Sequence, residues 1–194
     1  MQGLNLLLAR YSQLLVLRVL HQAEGPLSGR EVERRTGLSN RATMLALEEL
    51  VAISAVQGAV DRSPHQYTLN TDNYFVTKAL QPAFAVEDAF WTDFRKLVRR
   101  MTVPRPLAVV ATGPLARDEI PANWRIPLVM VFKTGRQRIR AFRGMDALQA
   151  ATLRRYAITI EPMLLDENTM HDPQYDPLWR RVEREGILLF GQLP

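Results

Sequence analysis

No cysteine occurs among the 194 residues of the chain. That absence excludes disulfides, thiolate metal sites and a thiol nucleophile together, and it agrees with a reducing cytoplasm. No apolar run reaches the roughly 18 to 20 residues that a membrane span needs. The opening residues 1–8 are apolar but lack the basic start and small-residue cleavage site of a secretory signal. Neither export nor a membrane partner is expected. Histidine is scarce, at three residues, and His21 and His65 stand at no ligand spacing, so they read as surface or capping groups. Neither a metal nor a cofactor is expected.

Acidic residues are outnumbered. Lys and Arg total 25 against 20 Asp and Glu, a formal net charge of +5, with a pI near 10.0. Such a balance favours a polyanionic partner without specifying one. The 47% hydrophobic fraction against 23% charged is that of a globular protein, long enough for one compact domain or two small ones. The basic residues are clustered: Arg30, Arg34, Arg35 and Arg41, then Arg95, Lys96, Arg99 and Arg100, then a stretch from Lys133 to Arg143 without an acid.

The first cluster falls on a motif. Leu7, Tyr11, Leu14, Leu15, Leu17 and Val19 are spaced for an amphipathic helix from Leu6 to Leu20, which Gly25-Pro26 closes. Ser28 precedes Glu31 by three residues, the capping-box arrangement that opens a second helix running to Thr36. Gly37 permits a tight turn, Leu38 plugs the interhelical angle, and Ser39 caps a third helix reaching about Ala52. The string SGREVERRTGLSNRATMLALEEL therefore reads as helix-turn-helix. In that geometry Asn40, Arg41 and Thr43 face outward while Met44, Leu47 and Leu50 face the core. Arg41 is suited to a guanine edge, and Asn40 either to adenine or to a phosphate. Ile53 to Val60 and Gln66 to Leu69 read as two strands around the polar turn 61–65, a wing from which Arg62, His65 and Gln66 would reach backbone or minor groove.

Capped helix, glycine turn, third helix and hairpin occur in order from Leu4 to Asn70, and this stretch resembles the winged-helix domains of bacterial transcriptional regulators. The resemblance implies duplex DNA as partner, with Ser39, Asn40, Arg41, Thr43, Arg30, Arg62, His65 and Gln66 at the interface. The bland alternative is a protein-interaction module in which Arg30, Arg34 and Arg35 form a solvated helix face. From Asn73 to about Met101, Phe75, Leu80, Phe84, Phe90, Trp91, Phe94, Leu97 and Val98 recur at helical spacing. They predict a long connecting helix, interrupted near Pro82, that packs on the C-terminal half or forms a homodimer interface.

Pro104-Arg105-Pro106 marks a further boundary, followed by strands at 107–112 and 126–132. The pattern LAVVATGPLARDEIPANWRIPLVMVF, with the ending PLWRRVEREGILLFG, resembles the minimal nucleotidyltransferase family. That family follows its first strand with a Gly-Ser turn and carries two aspartates, one residue apart, on the second strand to hold magnesium ions. Gly113, Ala116 and Arg117 fit the pattern. Pro114 replaces the serine, Asp118 stands where glycine is common, and Arg125 and Pro127 occupy the two aspartate positions. Glu161 corresponds either to the family's third carboxylate or to an exposed strand residue. The resemblance thus implies the fold of a nucleotidyltransferase without its catalysis, with Gly113, Arg117 and Arg125 as a candidate site for a nucleotide-like effector.

The expected architecture is α+β: a winged helix-turn-helix over 1–72, a connecting helix over 73–103, and a nucleotidyltransferase-like α/β domain with a small mixed sheet over 104–194. The expected function is a dimeric DNA-binding transcriptional regulator that is not an enzyme, a pseudoenzyme in its C-terminal half. The alternatives are an active nucleotidyltransferase with a DNA-binding tether, and an antitoxin-like or RNA-binding protein using the basic stretch from Lys133 to Arg143 as its contact surface.

Overall fold

The computed structural model describes residues 3–8, 10–59, 65–117, 119 and 124–192. The architecture is α+β, and the chain forms two compact units, Met1–Ala89 and Phe90–Pro194.

In the first unit α1 (Gly3–Leu8) and α2 (Tyr11–His21) replace the single helix expected from residue 6. Arg10 between them is extended, with φ −134° and ψ 142°, which interrupts the helical hydrogen bonding. A two-residue strand, β1 (Leu27–Ser28), precedes α3 (Gly29–Thr36) and α4 (Asn40–Ala52), and β2 (Val56–Ala59) and β3 (Gln66–Leu69) form the hairpin. The sheet runs β1-β3-β2, all antiparallel, with Leu27 opposite Tyr67 and Val56 opposite Leu69. Val16, Leu17 and Leu20 of α2 meet Val32 of α3 and Leu47 and Leu50 of α4 in one core. Each such side chain contributes roughly 1.5 to 3 kcal/mol by leaving water.

The expected long helix is divided. Val76–Leu80 forms a π-helical turn, α5 follows as Gln81–Asp88, and α6 starts afresh at Phe90–Met101. Pro82 has no N–H to give to the preceding turn, which accounts for the widened hydrogen bonding just before it. Val76, Leu80 and Phe84 are buried in the core of the first unit. Phe94 and Val98 are buried in the core of the second. The two stripes that read as one helix face therefore serve two cores, one in each of the two units that meet in sequence after Ala89.

The second unit continues with β4 (Ala108–Ala111), β5 (Arg125–Phe132), α7 (Gly135–Phe142), α8 (Met145–Tyr156), β6 (Thr159–Asp166), α9 (Asp176–Glu185) and β7 (Ile187–Gly191). Its sheet runs β6-β5-β4-β7, mixed as expected, with β5 and β6 parallel and the other pairs antiparallel. Side chains alternate between faces, as the strand period requires. Val109, Ala111, Leu128 and Met130 pack with Phe94 of α6, Ala141 of α7 and Leu148 of α8. Val110, Val129, Val131 and Leu165 pack on the opposite side with Val182 of α9. Gly191 ends β7 at φ +88°, where a Cβ would lie 1.8 Å from the Leu107 carbonyl oxygen. Two backbones meet there too closely for any side chain.

Candidate nucleic-acid interface

The order helix, strand, helix, helix, strand, strand, closed by a three-stranded antiparallel sheet, makes the first unit a winged helix in its architecture. Its two capping serines set the turn. Ser28 Oγ accepts from the Glu31 N–H at 3.3 Å and Ser39 Oγ from the Ala42 N–H at 3.3 Å. Gly37 lies between the helices in the left-handed region, at φ 69°. The expected return bond from the Glu31 side chain to the backbone is not made, because Glu31 takes Arg34 at 2.6 Å and Arg35 at 2.7 Å. Hydrogen bonds from these guanidiniums hold the Glu31 carboxyl down at about 2. Arg34 and Arg35 thereby share one carboxylate on their own helix.

Arg41 is exposed on the first turn of α4, and among the described residues no carboxylate pairs with it. Arg30, exposed on the first turn of α3, has no such partner either. Asn40 is exposed beside Arg41, but its Nδ2 donates to Glu33 Oε2 at 2.8 Å. Thr43 requires a correction. It is fully buried, at 0% exposure, and its hydroxyl donates to the Ser39 carbonyl at 3.1 Å. Thr43, Leu47 and Leu50 are spaced i, i+4, i+7, so they share the core face. The same spacing from Arg41 brings Leu45 and Glu48 to the outer face, and both are exposed. Sequence reasoning missed these two, although the period contained them.

On the wing, β3 sets Gln66 opposite Ser28 and Ala59. Gln66 is half-buried, and His65 just before it is exposed. Arg62 lies outside the described residues.

The expected ligand site of the second unit is differently equipped. Gly113, at φ +93°, begins the turn after β4, with its missing Cβ 3.2 Å from the Pro127 ring. Arg117 holds Glu119 through two bonds, at 2.9 and 2.7 Å, and also pairs with Glu185 of α9. These bonds push the Arg117 guanidinium pKa up; burial pushes that of Glu185 up, but the ion pairs with Arg117 and Arg184 outweigh it and bring the carboxyl below its usual range. Arg125 pairs with Glu161 at 2.7 Å. Arg125, expected at the first aspartate position, thus pairs with Glu161, expected as a third carboxylate, and both expected ligand cations have carboxylate partners. Among the described residues no group of three or more metal-ligating side chains is assembled.

Charge is unevenly shared. Residues 1–89 hold eight Lys and Arg against nine Asp and Glu, a net charge of −1, while residues 90–194 hold seventeen against eleven, a net charge of +6. The whole cationic excess belongs to the second unit.

No family model matches the chain, and no curated protein matches it. Among solved structures it is similar to a toxin-antitoxin with AMP-PNP, at 15% identity and TM-score 0.35 over 53% of this chain and 73% of that one. The reduced form of the transcriptional regulator YodB from B. subtilis is similar at 24% identity and TM-score 0.35, over 45% of this chain and 87% of that one. Human N-acetylserotonin methyltransferase in complex with SAM is similar at 20% identity and TM-score 0.32, over 61% of this chain and 34% of that one. No helix among the described residues is long and apolar enough to cross a membrane.

Proposed function

We propose that the chain is a transcriptional regulator whose first unit reads duplex DNA with the outer face of α4. The observation that carries this reading is Arg41: exposed one residue into a serine-capped helix, and free of the carboxylates that occupy Arg34 and Arg35. A guanidinium so placed can donate two parallel bonds to a guanine edge. Leu45 and Glu48 extend the same face, and their chemistry suits a thymine methyl and a cytosine amino group. Arg30 and His65 supply contacts to phosphate, which position the domain without reading sequence. A two-fold dimer would present two such faces to an inverted repeat.

The second unit, in this reading, performs no nucleotidyl transfer. Two-metal chemistry needs paired carboxylates, and Arg125 and Pro127 stand at their positions. A nucleotide effector at Gly113, Arg117 and Arg125 is not part of the proposal, since both cations are spent on carboxylates.

Selection of bound fragments from random duplex DNA by the purified chain tests the reading. Enrichment of one motif is expected, and Arg41→Ala should weaken binding to it by about 1 to 3 kcal/mol. Absence of any enriched motif, or unchanged affinity in the variant, overturns the assignment.

A further inference from the structure

Helix α7 carries no acidic residue of its own. Its buried side is fixed: Ala141 is in the core, and Arg138 reaches Asp166 at the end of β6, 3.3 Å away. The Asp166 carboxylate is itself held by the N–H groups of Asn168 and Thr169 at 3.2 and 3.1 Å. The arginine of α7 that pairs is therefore the one that anchors the helix to the parallel strand pair. Arg136, Arg140 and Arg143 are exposed on the other side, Lys133 is exposed just ahead of the Thr134 cap, and among the described residues none of the four has a carboxylate partner.

The outer face is not purely charged. Ile139 is 60% exposed and Phe142 69% exposed. At 100° per residue, Arg136, Ile139, Arg140 and Arg143 fall on one stripe, and Phe142 lies about 60° beyond Ile139, on the flank of the exposed face away from Arg140. The rise of about 1.5 Å per residue spaces the three arginines over roughly 10 Å. Cations in a row serve a phosphodiester backbone, and an uncovered aromatic ring on the flank of the same exposed face gives a base turned off that backbone a surface to stack on. Paired bases in a duplex have no free face to offer. An unpaired strand does.

We propose that the outer face of α7 is a binding site for single-stranded nucleic acid, in which Arg136, Arg140 and Arg143 follow the backbone and Phe142 stacks on a base. The site is separate from α4 and does not depend on what α4 reads.

The test is fluorescence anisotropy of the full chain with a labelled twenty-residue oligothymidylate, across a salt series, beside the same length of duplex. The single strand should bind more tightly than the duplex, with affinity falling as salt rises. Replacing Arg136, Arg140 and Arg143 together by Gln should flatten the logarithmic salt slope by about 2, at about 0.7 for each phosphate left without its cation. The corresponding triple Lys variant should keep the slope. Phe142→Ala should weaken the single strand by about five- to a hundredfold while leaving the slope alone. Arg41→Ala should leave oligothymidylate binding unchanged, which separates this site from the one on α4. Unaltered circular dichroism and melting of the variants show that the fold is intact and that binding alone has changed. No binding of the single strand, a slope unmoved in the Gln variant, or equal competition by polyglutamate at matched charge overturns the proposal.

Discussion

The two units use their arginines in opposite ways. In the first, Arg10, Arg18, Arg34 and Arg35 are matched to Glu49, Glu87 and Glu31, and the unmatched Arg30 and Arg41 lie on the opening turns of α3 and α4. In the second, Arg117 and Arg125 are matched, and the arginines on the outer face of α7 have no carboxylate partner among the described residues. Net charge alone would send a polyanion to the second unit and away from the winged helix. What distinguishes a reading face from a solvated one is an individual unpaired cation at a fixed place, because a surface ion pair is worth little and leaves little charge to offer.

The difference between the units can be pushed hardest through their cores. Gly191→Ala should cost the second unit about 3 to 5 kcal/mol, since the new methyl would overlap the Leu107 carbonyl and the backbone is at positive φ. Leu47→Ala, in the middle of the first core, should cost about 2 to 5 kcal/mol. Urea denaturation followed by tryptophan fluorescence reads these out, because Trp91, Trp124 and Trp179 all belong to residues 90–194. Gly191→Ala should shift that transition to lower urea, and Leu47→Ala should leave it in place while far-ultraviolet dichroism shows an earlier loss of helix. If both variants move the fluorescence transition equally, the units do not unfold separately and their contrast has no thermodynamic basis.

Much of this organisation is legible in the sequence wherever a local stereochemical signal exists. The limits of α3 and α4 follow from Ser28, Gly37 and Ser39, whose side chains or backbone angles do the terminating. Strands β4 and β5 follow from the two apolar runs after Pro104-Arg105-Pro106. Three features are not legible. Strand β1 is two residues long and has no pattern to show. The division after Ala89 has neither glycine nor proline at it, and one apolar stripe runs through to a different core. Thr43 reads as an outer residue because it is polar, yet a threonine inside a helix can give its hydroxyl to the carbonyl four residues back and be buried at little cost. At the candidate sites the residue types are readable, but pairing is not: nothing in the order of residues says that Arg117 will find Glu185 or Arg125 will find Glu161.

A smaller effect tests the ion pairs of the first unit by acid. The Glu31 carboxyl sits at about 2 in place of its usual 4.5. A carboxylate whose pKa is depressed on folding contributes stability that is whole above the unfolded value and is lost as pH falls toward the folded one. The contribution of Glu31 is therefore intact above about pH 4.5 and fades between there and about pH 2. Glu31→Gln should flatten this part of the pH dependence of helix melting. An unchanged acid profile would mean that the Arg34 and Arg35 contacts are solvated in solution, leaving those two arginines as available to phosphate as Arg41.

The smallest expected effect concerns strand β5 and the pairing of Arg125 at its start. Arg125 and Glu161 are 55% and 46% exposed along their side chains, with a 2.7 Å contact. Solvent and salt screen a pair this open, so Arg125→Ala should change stability by less than about 1 kcal/mol in urea denaturation. The backbone pairing of β5 with β6, which sets Arg125 opposite Thr159 and Pro127 opposite Glu161, holds the strands whatever the side chains do. A drop beyond about 2 kcal/mol would show instead that the cation clamps the strand ends, as a buried pair does when one partner is removed. Then Arg125 would hold the β5–β6 pair as Arg138 holds α7 to it.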